Sequence, residues 1–309
     1  MKRKIKMKPI IVLIITVIAL VVGIIYLVKT INYHKTYDYK LEKVGYTKED
    51  VSILKKLDNT SLDYMLTIPY NKKIIGLVNE KYFIEKNLKK YISYLKENDN
   101  LTDVIAIINV GSNKEWYKDS KKTDLKQEHL MLTNKFNYLD NSYNSDNMVN
   151  VSKKYSYGEN QKVTSETYNA FLNMFNAAKK ENLTLIINSS YRSYEEQDEI
   201  YNDLKNSRGD EYADKIAARP GYSEHQTGMA IDIQTYGSTA STFEEFDEFK
   251  WLKENAHKYG FILRYPKDKK YLTGYEYESW HYRYVGIEVA TYIHENNITF
   301  DEYYAYFIN

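Results

Sequence analysis

The sequence predicts an α+β fold: a small, mainly antiparallel sheet with flanking helices, preceded by a helical membrane-proximal module and one N-terminal transmembrane helix. Three observations carry this expectation. Residues 10–28 hold no charged side chain and are almost all Ile, Val, Leu or Ala. The segment after them shows apolar residues at helical spacing, interrupted by Pro69. The second half interleaves helical patterns with short strand patterns that lack the regular spacing of a parallel βαβ sheet.

At 1.5 Å per residue the charge-free stretch reaches roughly 28 Å, the hydrocarbon thickness of a bilayer. Lys2, Arg3, Lys4, Lys6 and Lys8 precede it, so the positive-inside rule predicts residues 1–8 as a cytoplasmic tail, 9–28 as a single-pass anchor and the remainder as extracytoplasmic. A cleaved signal peptide would share the charged start, but residues 26–32 offer no small-residue cleavage site. The chain of 309 residues has no cysteine, which removes disulfides, thiolate nucleophiles and cysteine-held metals together. Any metal must be held by His, Asp or Glu. Past the basic tail, 38 basic side chains face 42 acidic ones, a mildly acidic body unsuited to nucleic acid.

Residues 29–43 read as a polar, tyrosine-rich spacer. Thr47 with Asp50 forms a capping-box pattern ahead of Val51, Leu54 and Leu57, and a second periodic stretch runs from Ile75 to Leu95. Val104 to Ile108 reads as a strand followed by a turn at Gly111. Residues 137–153, rich in Asn, Asp and Ser, read as a linker, which places the main boundary near 150. Beyond it the pattern predicts a helix from Thr164 or Ser165, a strand over 183–187, a helix capped by Ser193 and Glu196, and a strand over 228–233. A helix opened by Thr242 and Glu245 and closed by Gly260 follows, then strands over 261–265 and 280–285 and a helical tail from Gly286.

Of six histidines, His225 and His281 sit in chemical surroundings, within S-E-H-Q-T-G-M-A-I-D (223–232) and E-S-W-H (278–281). Asp232 falls in the alternation of a buried strand, where a carboxylate needs a cation or strong donors. Two histidines and one carboxylate leave a fourth position open in a tetrahedral zinc shell, the pattern of a catalytic site. Glu278 is the candidate general base for water attacking a carbonyl. Residues three apart on a straight strand face opposite ways, so Glu278 and His281 can share a cleft only if a turn or bulge intervenes near Ser279. His225 and Asp232, seven apart, require His225 to lie on the loop before the strand. Arg192, between a strand and a helix N-terminus, can meet a developing oxyanion or form a surface ion pair with Glu195 or Glu196. Gln197 can reach the same cleft, and Trp280 either walls it or merely packs.

Residues 189–197 (SSYRSYEEQ), 223–232 and 278–281 together resemble the signature blocks of the VanY-type D-alanyl-D-alanine carboxypeptidases, metallopeptidases grouped with the lysostaphin and sonic hedgehog fold. The resemblance covers about residues 150–290, and more loosely the helical module from about 42. It implies a zinc peptidase domain over 151–309 that binds one zinc ion through His225, Asp232 and His281, with Glu278 as the catalytic base. It implies that Arg192 contacts substrate and stabilises the transition state, and that Gln197, Ser223 and Trp280 line the substrate cleft. The family's substrates are peptidoglycan stem peptides, from which the terminal D-alanine is removed. An L,D-carboxypeptidase acting on the tetrapeptide, an endopeptidase and a non-catalytic zinc-containing wall-binding module are the competing expectations.

Overall fold

The computed structural model describes residues 7–95 and 100–308, which fall into two compact units, residues 1–105 and 106–309. In the first, helix α1 (Met7–His34) is long and apolar enough to cross a membrane, and its Ile, Val and Leu side chains are exposed. Short helices follow: α2 (Tyr37–Val44), α3 (Lys48–Leu54), α4 (Asn59–Met65), α5 (Lys72–Asn79) and α6 (Leu88–Tyr94), and α7 (Leu101–Val110) begins in this unit and ends in the second. Thr36, Thr47, Asp58 and Asn71 cap α2 to α5 by accepting an N–H of the first turn, which explains why these helices start where they do. Leu41, Leu54, Met65, Leu77 and Tyr91 are buried in this module.

Two local expectations change here. Residues 104–108, expected as a strand, lie inside α7, whose start Asn100 caps by accepting the N–H of Asp103 at 3.1 Å. A run of five apolar residues buried on all sides has no periodicity that separates helix from strand, and the cap decides it. The stretch 75–95 is two helices, α5 and α6, separated by an irregular segment.

The second unit has three small sheets. β1 (Lys121–Lys122) pairs parallel with β2 (Asn137–Tyr138), and β3 (Met148–Asn150) pairs antiparallel with β4 (Lys162–Thr164). Helix α8 (Ser165–Lys180) leads to β5 (Ile186–Ser189), α9 (Tyr194–Arg208), α10 (Asp210–Ile216), β6 (Ala230–Gln234), α11 (Asp247–Asn255), β7 (Phe261–Leu263), α12 (Lys270–Thr273), β8 (His281–Tyr284), α13 (Ile287–Asn296) and α14 (Phe300–Phe307). The principal sheet runs β5-β6-β8-β7 with every neighbour antiparallel. Phe171, Met174 and Phe175 of α8 pack in one cluster with Ile187, Ile231, Ile233, Phe261 and Tyr282, which covers one face of the sheet. This is the mixed architecture with small antiparallel sheets that the irregular spacing implied.

The compact unit reaches back to Ala106, well before the boundary expected near 150. The Asn- and Ser-rich segment 137–153 is not a free linker: it contributes β2 and β3 and buries Leu139 and Val151. Its polar composition hides this because its backbone groups are satisfied by pairing, as where Leu139 N–H donates to the Gly221 carbonyl at 2.8 Å. The helix expected from Thr242 begins later, as a 3₁₀ turn over Phe243–Glu245 before α11.

Candidate active site

β6 and β8 are neighbours, and their antiparallel register sets Asp232 directly opposite His281. Residues paired across antiparallel strands point to the same face, so the two side chains stand together, with His281 Nδ1 3.2 Å from Asp232 Oδ1. His225 comes from the 3₁₀ turn Glu224–Thr227 ahead of β6. Ser223 caps that turn by accepting the His225 N–H, and Gly228, at φ 71°, ends it in the left-handed region where a Cβ would add strain. The His225 Nδ1–H donates to the Ser190 carbonyl at 2.6 Å, which leaves Nε2 facing Asp232 Oδ1 at 3.5 Å. A turn at Ser279 and Trp280, with the His281 N–H donating to the Glu278 carbonyl at 3.4 Å, resolves the parity of the E-S-W-H block. It brings Glu278 Oε2 to 3.5 Å from His281 Nδ1.

One ligand atom from each of His225, Asp232 and His281 lies within 4.8 Å of the others, and Asp232 Oδ1 is buried with no hydrogen-bond partner. A buried carboxylate oxygen without a donor is costly, and a cation at the focus of this oxygen and two imidazole nitrogens satisfies it. Two nitrogens and one carboxylate form the donor set that zinc takes with a coordination position left over. The residues therefore fit a metal ion of that kind.

The electrostatics are shaped by burial. Burial, reinforced by Arg192, brings His225 down to about 4, so at neutral pH its Nε2 lone pair is available. For Asp232 burial works the other way, yet the two histidines hold it well below the usual carboxylate range. Burial likewise opposes the charge on His281, which Asp232 and Glu224 nevertheless raise to about 9. Glu278 is pushed up to about 7 by burial, against the pull of His281 and Arg192.

These groups border a cavity of about 210 Å³ that also receives Arg192, Gln197, Ser223 and Trp280, so every residue singled out in the sequence lies around one space. Arg192 makes no ion pair with Glu195 or Glu196; Glu196 closes a capping box with Ser193, and Arg192 Nη1 sits 3.5 Å from Ser189 Oγ. Its Nε is buried and unpartnered. Gln197 donates through Nε2 to the Ala218 carbonyl at 2.8 Å, and its Oε1 has no partner. Glu224, Tyr265 and Tyr275 also line the cavity and were not singled out from the sequence. Glu224 lies inside the 223–232 block, and its neighbour His225 was the available signal. Nothing marks Tyr265 or Tyr275 among 33 tyrosines.

Residues 160–287 match the model of the VanY family, described as D-alanyl-D-alanine carboxypeptidase. The chain is 40% identical over 185 residues to a D-alanyl-D-alanine carboxypeptidase of Enterococcus faecium, a match covering 57% of each chain. Among solved structures it is similar to the LdcB LD-carboxypeptidase, with 37% identity, a TM-score of 0.58, and coverage of 61% of this chain and 91% of that one. It is also similar to a vancomycin-resistance D,D-pentapeptidase VanY solved as a mutant in complex with Zn(II), with 33% identity, a TM-score of 0.50, and coverage of 57% of this chain and 98% of that one. A compact unit of the same architecture, with its candidate metal-holding side chains supplied by the two matching blocks, places this chain in the VanY family of D-alanyl-D-alanine carboxypeptidases.

Proposed function

We propose that the protein is a zinc-dependent carboxypeptidase that removes the C-terminal D-alanine from peptidoglycan stem peptides. The observation that carries this is the convergence of His225 Nε2, Asp232 Oδ1 and His281 Nδ1 beside the Glu278 carboxylate, in a cavity that also holds Arg192. His225, Asp232 and His281 hold the ion. Bound zinc supplies Lewis acidity and lowers the pKa of water. Glu278, poised near neutral pH, accepts a proton from the attacking water and returns it to the departing amine. Arg192 directs its positive charge at the oxygen that gains charge on the attacked carbonyl. Gln197, through its free Oε1, accepts an N–H of the substrate backbone, and Ser223 and Trp280 complete the walls.

Helix α1 is the membrane anchor in this reading, with residues 1–8 in the cytoplasm and the catalytic unit on the outer side, next to its polymeric substrate. The likeness to the LdcB LD-carboxypeptidase supports a second reading, cleavage of the tetrapeptide stem by the same machinery. Incubating the protein with pentapeptide and tetrapeptide muropeptides, with and without a chelator, tests both. Chelator-sensitive release of D-alanine from the pentapeptide alone supports the first, and release from the tetrapeptide alone supports the second. Zinc binding without turnover of any muropeptide would instead make the protein a binding module.

A further inference from the structure

Behind the candidate metal site lies a solvent-free set of charges. Arg264 donates from Nε to Glu224 Oε1 at 2.8 Å and from Nη1 to Asp301 Oδ2 at 2.6 Å. Arg283 Nη1 lies 3.2 Å from the same Glu224 oxygen, and the Asn134 amide donates to Asp301 Oδ1 at 2.7 Å. The side chains of Arg264, Arg283 and Glu224 are fully buried and that of Asp301 is 1% exposed. Two positive and two negative groups balance, so the set is neutral as a whole.

One oxygen of Glu224 is thus shared between two guanidinium groups, while the other, Oε2, is buried with no hydrogen-bond partner. The atom facing it is His281 Nε2, 3.5 Å away, which is also buried and unpartnered. Two orphaned atoms of opposite capacity, each costing about 1–3 kcal/mol if left so, do not meet by chance in a dry interior. A movement of about half an ångström brings them into hydrogen-bond range. On the other side of the ring, Nδ1 faces Asp232 and Glu278.

We infer that Glu224 is a positioning residue for the metal site: it accepts the Nε2–H of His281, fixing the ring so that the Nδ1 lone pair is directed at the ion. This inference rests on His281 being a metal ligand, as proposed above. Glu224, whose side chain is fully buried at the edge of the cavity, acts in this role through His281. The arginines hold the Glu224 carboxylate in place, and strand pairing keeps Arg264 next to the ring, its backbone N–H donating to the His281 carbonyl at 3.1 Å. A carboxylate that receives the second N–H of a ligating imidazole fixes its tautomer and raises its basicity, and losing it commonly costs 10- to 100-fold in metal affinity.

The test compares Glu224→Gln with Asp301→Asn in the full-length protein, with folding checked by circular dichroism and zinc affinity read by competition against a chromophoric chelator. Both variants remove one negative charge from the same buried set, but only Glu224 meets His281. The expected result is a zinc affinity at least about tenfold weaker for Glu224→Gln and within about threefold of the parent for Asp301→Asn. Equal losses in both variants would reduce Glu224 to a structural role, and no loss in either would overturn the inference outright. Nitrogen-15 NMR of the zinc-loaded parent adds an independent reading: a protonated Nε2 on His281 is expected, and ligation through Nε2 would refute the proposal. A parent chain that binds no zinc at all would sink the metal reading itself, an outcome separate from unchanged affinity in the Glu224 variant.

Discussion

Glu278 combines two properties that its place in the sequence could only suggest. Its carboxylate stands 3.5 Å from His281 Nδ1, and burial pushes its pKa up to about 7. A group so poised exchanges protons readily in both directions near neutral pH. Glu278→Gln is therefore expected to lower kcat by about 10²- to 10⁴-fold while leaving zinc content, measured by elemental analysis, at the parent level. A variant that keeps more than a tenth of the parent rate would remove Glu278 from the mechanism. Asp232 carries the opposite expectation, of loss at the metal rather than at the proton. Its Oδ1 is buried without a protein donor, so Asp232→Ala is expected to abolish both stoichiometric zinc binding and hydrolysis, as equilibrium dialysis and muropeptide assays would show.

Among the elements, the turns that join strands carry as much of the design as the strands themselves. Gly260, anticipated as a helix-ending glycine, has φ 84° and ends the 3₁₀ turn that leads into β7. A Cβ there would lie 2.7 Å from Tyr284 Cε2 and 3.1 Å from the backbone carbon of Gly286. Gly260→Ala is expected to destabilise the protein by roughly 1–3 kcal/mol in denaturant unfolding, because a backbone neighbour cannot move aside as a side-chain tip can. An unchanged midpoint would mean the loop relaxes freely.

Lys135 ties together two other segments. It is 3% exposed, donates to the carbonyls of Asp214 and Gly274 at 2.6 Å each, and lies 4.3 Å from the Tyr275 ring centroid. Burial brings it down to about 8, with Arg219 and Lys270 lowering it further and Asp214 and Glu276 opposing. An unfolded lysine titrates near about 10.4, so above pH 8 the unfolded chain holds a proton that the folded chain has released. Stability from this residue therefore rises with pH between about 8 and 10, by up to about 1.4 kcal/mol per unit, and the gain is lost again as pH falls from about 10 to about 8. Comparing denaturant midpoints at about pH 7.5 and 9.5, Lys135→Met should show a smaller gain than the parent. Equal gains would indicate that the ammonium is not penalised by its surroundings.

At the scale of the whole molecule, α1 and the catalytic unit make separable demands. Deleting residues 1–30 is expected to move the protein from the membrane fraction to the soluble one while muropeptide hydrolysis persists, as fractionation and mass spectrometry would reveal. Retention in membranes after the deletion would point to another attachment.

The sequence by itself determined the features that depend on near neighbours. The charge-free span, the capping boxes at Thr47 and Ser193 and the chemical types of the site side chains are all local, set by residues within one or two turns of each other. Even the need for a turn near Ser279 followed from strand parity alone. Only the tertiary structure decided the rest. The pairing of Asp232 with His281, the burial that shifts Glu278, the placing of Glu224 between two arginines and His281, and the inclusion of residues 106–150 in the catalytic unit all depend on which distant segments meet. A segment's own residues encode its capacity to pair. Its partner is selected by packing of the whole core, because the free energy of burial is shared among side chains far apart along the chain.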